Sequence, residues 1–208
     1  MNRPTARESV VLMAGYHSPQ IEVDVRLNTN ESPEPPPDGF AEAVAEQITA
    51  IDWHRYPERG ATELRSRIGA SYGLRAEQVF AANGSNEVLQ TLLLTFAGPG
   101  RTSTVFEPTY ALHSHLSRVT GTTVVQCERA DDFSIDLDEA ERAIVEHEPD
   151  VVFLCSPNNP TGVVDPPETI RSVLDMVTSS GGLLCVDEAY GQFCDFSAIE
   201  LLGDDTPL

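Results

Sequence analysis

Two apolar runs constrain this chain more than any other feature. "DVVFLCS" (150–156) and "LLCVDE" (183–188) are nearly continuous in apolar residues rather than alternating. A strand wetted on one face alternates apolar and polar residues, so a run without alternation predicts a strand covered on both faces. Between the runs lies a helical pattern that begins near Pro166 and Pro167, with Ile170, Val173, Leu174 and Val177 on one face. Strand, helix and strand in that order predict a parallel pair joined by a crossover.

The alternation extends upstream. "QVFAA" (78–82), "STVFE" (103–107) and "TTVVQC" (122–127) read as strands. Helices are expected over 87–96, over 109–121 with Gly121 as its end, and over 137–147 with acids in its first turn. Phe40, Val44, Ile48 and Ile51 recur at i, i+4, i+8 and i+11, which predicts a further helix. Thr62 is a candidate cap for one carrying Leu64 and Ile68 on a shared face. "NESPEPPPD" (30–38) is proline-rich and expected to be extended. The expected fold class is α/β: a mostly parallel sheet with helices on both faces over residues 39–208, after an N-terminal arm of residues 1–38.

Composition then narrows the partners. Thirty-three acids stand against 13 basic residues, a net charge of −20, and all 13 are arginine. Such a surface repels phosphate backbones and anionic lipid, so neither nucleic acid nor membrane is an expected partner. The four cysteines, Cys127, Cys155, Cys185 and Cys194, form no C-x-x-C pair, and no metal site is expected. They are expected as free thiols in a reducing compartment. "VVLMA" near the N-terminus is too short for a signal-peptide core, and no run approaches the roughly 20 apolar residues of a membrane span. A cytoplasmic protein acting on small molecules is expected.

In an open α/β sheet, ligands bind beyond the carboxyl ends of the strands. Three polar clusters fall at such ends: "NGSNE" (83–87), "SPNNPTG" (156–162) and "DEAY" (187–190). In the first, Gly84 permits a tight turn and Ser85 and Asn86 offer backbone N–H groups at a helix N-terminus, an anion site or simply an ordinary capped turn. In the second, two prolines stiffen a loop that can present Asn159 as a fixed amide, or merely join strand to helix. In the third, Asp187 and Glu188 end an apolar run, where a carboxylate is costly unless paired. A cationic ligand group, a helix N–H or an arginine would each satisfy it. There is no G-x-G-x-x-G and no G-x-x-x-x-G-K-[ST], so a nucleotide fold of another kind is disfavoured.

"SPNNPTG" followed by "VDEAY" after one helix and one strand resembles the fold-type-I aminotransferases, which use pyridoxal 5′-phosphate (PLP). "RLNTNESP", "RYPE", "NGSNE" and "EPTYAL" fall in the order seen in the histidinol-phosphate aminotransferase group, so the likeness runs from about Tyr16 to the end. The resemblance implies an aspartate-aminotransferase-like large domain and amino transfer between histidinol phosphate and 2-oxoglutarate, in histidine biosynthesis. It implies Asp187 on the pyridine nitrogen, Asn159 and Tyr190 on the ring's phenolate oxygen, and Tyr110 stacked on the ring. Ser85 and Asn86 would hold the phosphate through their backbone. Tyr56 would reach the phosphate of a neighbouring subunit, which makes the enzyme a homodimer. Asn30 and Tyr16 would face the substrate, and His54, His113 and His115 have no assigned role.

One departure matters. The family's Schiff-base lysine lies one strand and loop beyond "DEAY", and this chain has no lysine. The resemblance therefore implies a truncated large domain without the lysine segment or the C-terminal small domain. The 208 residues alone are expected to be inactive. Within the fold, the rivals are a broad aromatic or aspartate-type aminotransferase and a threonine-phosphate decarboxylase. A catalytically inert remnant of the fold is the alternative of another kind.

Overall fold

The computed structural model describes residues 3–15, 19 and 21–208. Tyr16 lies outside them. Four parallel strands form one sheet: β1 (Thr102–Glu107), β2 (Thr123–Glu128), β3 (Val151–Cys155) and β4 (Leu183–Asp187), in the order β2-β1-β3-β4. Seven helices accompany them among the described residues: α1 (Glu8–Val11), α2 (Phe40–Thr49), α3 (Thr62–Tyr72), α4 (Ser85–Phe96), α5 (Leu112–Thr120), α6 (Leu137–His147) and α7 (Pro167–Ser180).

The near-continuous runs have their expected cause. Every residue of β3 is buried, and its side chains divide between two cores. Val152 and Leu154 join Ile144, Ile170, Val173 and Val177 beneath α6 and α7. Val151 and Phe153 join Leu89 and Leu93 of α4 on the other face. The period of two along the strand thus supplies both cores, and both faces are covered by helix. β4 is instead half-exposed except at Leu184, because it is an edge strand here. Register pairs Phe153 with Cys185 and Cys155 with Asp187, which brings Asp187 to the carboxyl end of the sheet.

Helix ends follow local chemistry. α6 spans the expected residues, and Asp136 caps it by accepting from the N–H groups of Asp138 and Glu139 at 3.0 and 3.1 Å. Gly121 closes α5 in the left-handed region, at φ +88°. α5 starts at Leu112, so Tyr110 stays in the loop after β1. Thr62 does not cap α3. Glu58 does, accepting from the N–H groups of Gly60 and Thr62 and from Thr62 Oγ1.

One further expectation fails. Residues 78–82 form no strand. Ala76–Gln78 is a 3₁₀ turn, Phe80 is 62% exposed, and the carbonyls of Ala76 and Val79 accept from the Arg65 guanidinium instead of a neighbouring strand. The expected helix forms as Phe40–Thr49, with Ile51 just past its end, and Phe40, Val44, Ile48 and Ile51 are all exposed. Periodicity fixes that a helix is amphipathic, not what covers its apolar face.

Candidate functional site

All four strands run the same way, so their carboxyl ends open on one edge of the sheet. Asp187 ends β4 there. Its Oδ2 lies 2.9 Å from His113 Nε2, and its Oδ1 accepts from Ala189 N at 3.1 Å. A carboxylate only accepts, so Nε2 carries the proton. His113 on α5 is fully buried, stacked on Phe153 at 4.8 Å between ring centroids and edge-on to Tyr110 at 5.5 Å. Its Nδ1 is buried without a hydrogen-bond partner, so the ring's polar bonding is aimed at the carboxylate. Burial pushes the Asp187 carboxyl up. The hydrogen bond and charge of His113, with the Ala189 N–H, outweigh that and hold it below the ordinary aspartate range.

This arrangement carries a prediction. Replacing His113 by Phe keeps an aromatic ring on Phe153 but removes the donor that opposes burial. The Asp187 carboxyl is then expected to titrate at higher pH, read from its ¹³C chemical shift. An unmoved titration would show that His113 is not what keeps the carboxylate ionised.

The remaining predicted residues gather around this pair to different degrees. Ser85 and Asn86 open α4 after Gly84, whose φ of +79° suits glycine. Their first-turn N–H groups have no intrahelical acceptor and point where the helix dipole favours an anion. Asn86 Oδ1 accepts from Tyr110 Oη at 3.1 Å, which ties that helix end to the ring beside His113. A cleft of about 990 Å³ meets this cluster at Tyr110 and is lined further by Asn30, Asn159 and Tyr190. Asn30 Nδ2 donates to Tyr190 Oη at 2.7 Å and so brings the arm to the end of β4. Tyr56 is 100% exposed and joins none of these contacts within one chain.

Two features escaped the sequence, His113 and the Arg129–Asp165 pair. His113 was assigned no role, since nothing local marks a residue 74 positions from its partner. Glu188, adjacent to Asp187, takes the expected helix N–H alternative: it accepts from Ala198 N, which opens the 3₁₀ turn Ala198–Leu201, and from Ser197 Oγ, both at 2.6 Å. Arg129 and Asp165 form an ion pair with both side chains fully buried. Arg129 also donates to the carbonyls of Phe106, Phe133 and Cys155, while Asp165 N donates to Ser156 Oγ at 2.9 Å. That pair ties the base of the Asn159 loop to the ends of β1 and β3.

Three of the four thiols are not candidate nucleophiles. Burial pushes Cys127 and Cys155 up to about 11 and Cys185 up to about 12. All four cysteines are free, and the described residues hold no His/Cys/Asp/Glu group suited to a metal ion. No helix among them is long and apolar enough to cross a membrane.

Comparison with known proteins agrees with the geometry. The family described as aminotransferase class I and II matches residues 22–206. The histidinol-phosphate aminotransferase of Corynebacterium diphtheriae is 44% identical over 97% of this chain and 57% of its own length. One from Mycolicibacterium smegmatis is 46% identical over 92% of this chain and 52% of its own length. The chain thus spans about half the length of these curated relatives. In fold, it superposes on histidinol-phosphate aminotransferase from Sinorhizobium meliloti in complex with pyridoxal-5′-phosphate, with TM-score 0.70, 21% identity, and coverage of 79% of this chain and 45% of that one. A tetra mutant of Thermus thermophilus aspartate aminotransferase superposes with TM-score 0.73 at 21% identity, over 88% of this chain and 50% of that one. The parallel sheet, the polar clusters at its carboxyl edge and the match over residues 22–206 place the chain in one family: it belongs to the class I and II aminotransferases.

Proposed function

We propose that this chain forms the PLP-binding part of an enzyme that transfers an amino group between histidinol phosphate and 2-oxoglutarate. The observation that carries the reading is the buried His113–Asp187 pair at the mouth of β4. A carboxylate held ionised beside an aromatic ring suits a protonated pyridine nitrogen. The other donors fit the same molecule: N–H groups at the start of α4 for its phosphate, and Tyr190 and Asn159 for its phenolate oxygen. When bound, PLP would supply the electron sink that stabilises the substrate carbanion during amino transfer. Asp187 would keep the ring nitrogen protonated, Tyr110 would cover a ring face, and Asn30 would orient substrate from the arm. The chain contains no lysine, so the roles proposed for its residues are binding, orientation and charge.

The substrate assignment rests on the relatives at 44–46% identity, whose names specify histidinol phosphate. The proposal extends to residues 1–38 as a substrate- and dimer-contacting arm, 39–208 as the PLP-binding body, and a cytoplasmic homodimer. Tyr56, wholly exposed in one chain, would reach the phosphate held by the other.

The test is an amino-transfer assay on the protein expressed from its complete reading frame, with glutamate formation as the readout. Histidinol phosphate is expected to give the highest kcat/KM among histidinol phosphate, aspartate and phenylalanine. A preference for either amino acid would overturn the donor, and release of carbon dioxide from threonine phosphate would overturn the reaction.

A further inference from the structure

The loop after β3 carries two adjacent asparagines, and the structure gives them different work. Asn158 is 2% exposed, and both donors of its amide are engaged within the protein. Its Nδ2 donates to Pro108 O at 3.0 Å and to Thr161 Oγ1 at 2.8 Å. Its Oδ1 accepts from Thr109 Oγ1 at 2.9 Å. Its backbone N–H donates to Val163 O at 2.8 Å, and its carbonyl accepts from Gly162 N at 2.7 Å.

These bonds fall into two groups. Those to Val163, Gly162 and Thr161 fold the 156–163 loop onto itself. Those to Pro108 and Thr109 cross to the segment after β1. Thr109 precedes Tyr110, and Asn158 precedes Asn159. Tyr110 and Asn159 both line the cleft. A single amide therefore joins the segment that carries the Tyr110 ring to the segment that carries the Asn159 amide.

We infer that Asn158 is a positioning residue that fixes Tyr110 and Asn159 relative to each other, and with them the placement of the groups that meet the face and the phenolate edge of the PLP ring. The inference rests on the proposed PLP reading of the cleft. Asn158 has no donor left for a ligand, so it acts through its neighbours. The crossing bonds need an amide, which supplies a donor and an acceptor at once. Aspartate keeps the acceptor for Thr109 but sets an oxygen against Pro108 O.

The test is cofactor titration of the protein expressed from its complete reading frame, stripped of cofactor and re-equilibrated with PLP. The dissociation constant and the induced circular dichroism of bound PLP are read together with the melting temperature of the cofactor-free form. Asn158→Asp is expected to weaken PLP binding by about 10-fold or more and to reduce the induced dichroism, because an unmade buried hydrogen bond costs on that scale. Thr109→Val, which removes only the hydroxyl, is expected to weaken binding less, and Thr109→Ser to restore it. A lowered melting temperature with unchanged affinity and dichroism in Asn158→Asp and Thr109→Val would overturn the inference. If Asn158→Asp does not fold, Thr109→Val and Thr109→Ser decide alone: equal affinity and dichroism in the two would overturn it. Absence of saturable PLP binding by the unsubstituted protein would instead sink the cofactor reading.

Discussion

Replacing Asp187 by Asn is expected to lower kcat for amino transfer by on the order of 10²–10³, the usual cost of losing one preorganised electrostatic contact with the reacting group. The substitution keeps volume, but its one amide oxygen serves only one of the two donors that the native side chain meets with separate oxygens, His113 Nε2 at Oδ2 and Ala189 N at Oδ1. It also removes the charge. The native carboxyl sits below the ordinary aspartate range, since His113 and the Ala189 N–H outweigh burial, and it is therefore ionised throughout the working range. An amide cannot keep a pyridine nitrogen protonated, so the cofactor would lose its electron-withdrawing form. Steady-state kinetics of the protein from its complete reading frame, beside its melting temperature, test this. Near-normal turnover would show that Asp187 does not serve the ring nitrogen.

The sign of the pH dependence follows from the same pair. Because the folded pKa of Asp187 is depressed, its contribution to stability is present above the unfolded value, about 3.9. It is lost as pH falls through the lower folded value. The Asn variant should lack that acid-side loss.

The sequence made some of this site readable because its signals are local. The run "VVFLC" names a strand covered on both faces without knowledge of its neighbours, and Ile170, Val173, Leu174 and Val177 mark the buried face of α7 by spacing alone. An acid at the end of an apolar run demands a partner, which singled out Asp187. The partner itself was not readable. His113 comes from α5, 74 positions before Asp187 on β4, and Arg129 meets Asp165 across 36 residues. The misread strand at 78–82 has the same origin, since composition reports that a segment suits extension but not whether a strand lies beside it. The paired asparagines show the limit at one residue's scale. Asn158 and Asn159 are chemically identical in the sequence, and only the packing against Pro108 and Thr109 separates the buried amide of Asn158 from the half-buried Asn159 beside it.

Arg129→Met is expected to destabilise the fold by about 3–5 kcal/mol, the range for breaking a buried ion pair by removing one partner. The guanidinium is fully buried and meets Asp165 at 3.3 Å, with further bonds to the carbonyls of Phe106, Phe133 and Cys155. Methionine fills much of the space but satisfies none of these acceptors. Burial already pushes the Asp165 carboxyl up, and Arg129 offsets only part of that rise. Without Arg129 the carboxyl rises further, so a folded value above the unfolded one makes stability greatest at acid pH and lost as pH rises through the folded value. Relative to the unsubstituted protein, Arg129→Met should therefore lose least near pH 4 and most at neutral pH, measured as urea midpoints at constant m. Arg129→Met combined with Asp165→Leu removes both charges and should cost less than the sum of the single changes. If Arg129→Met were as stable as the parent at neutral pH, the pair would not be the strut that joins the Asn159 loop to β1 and β3.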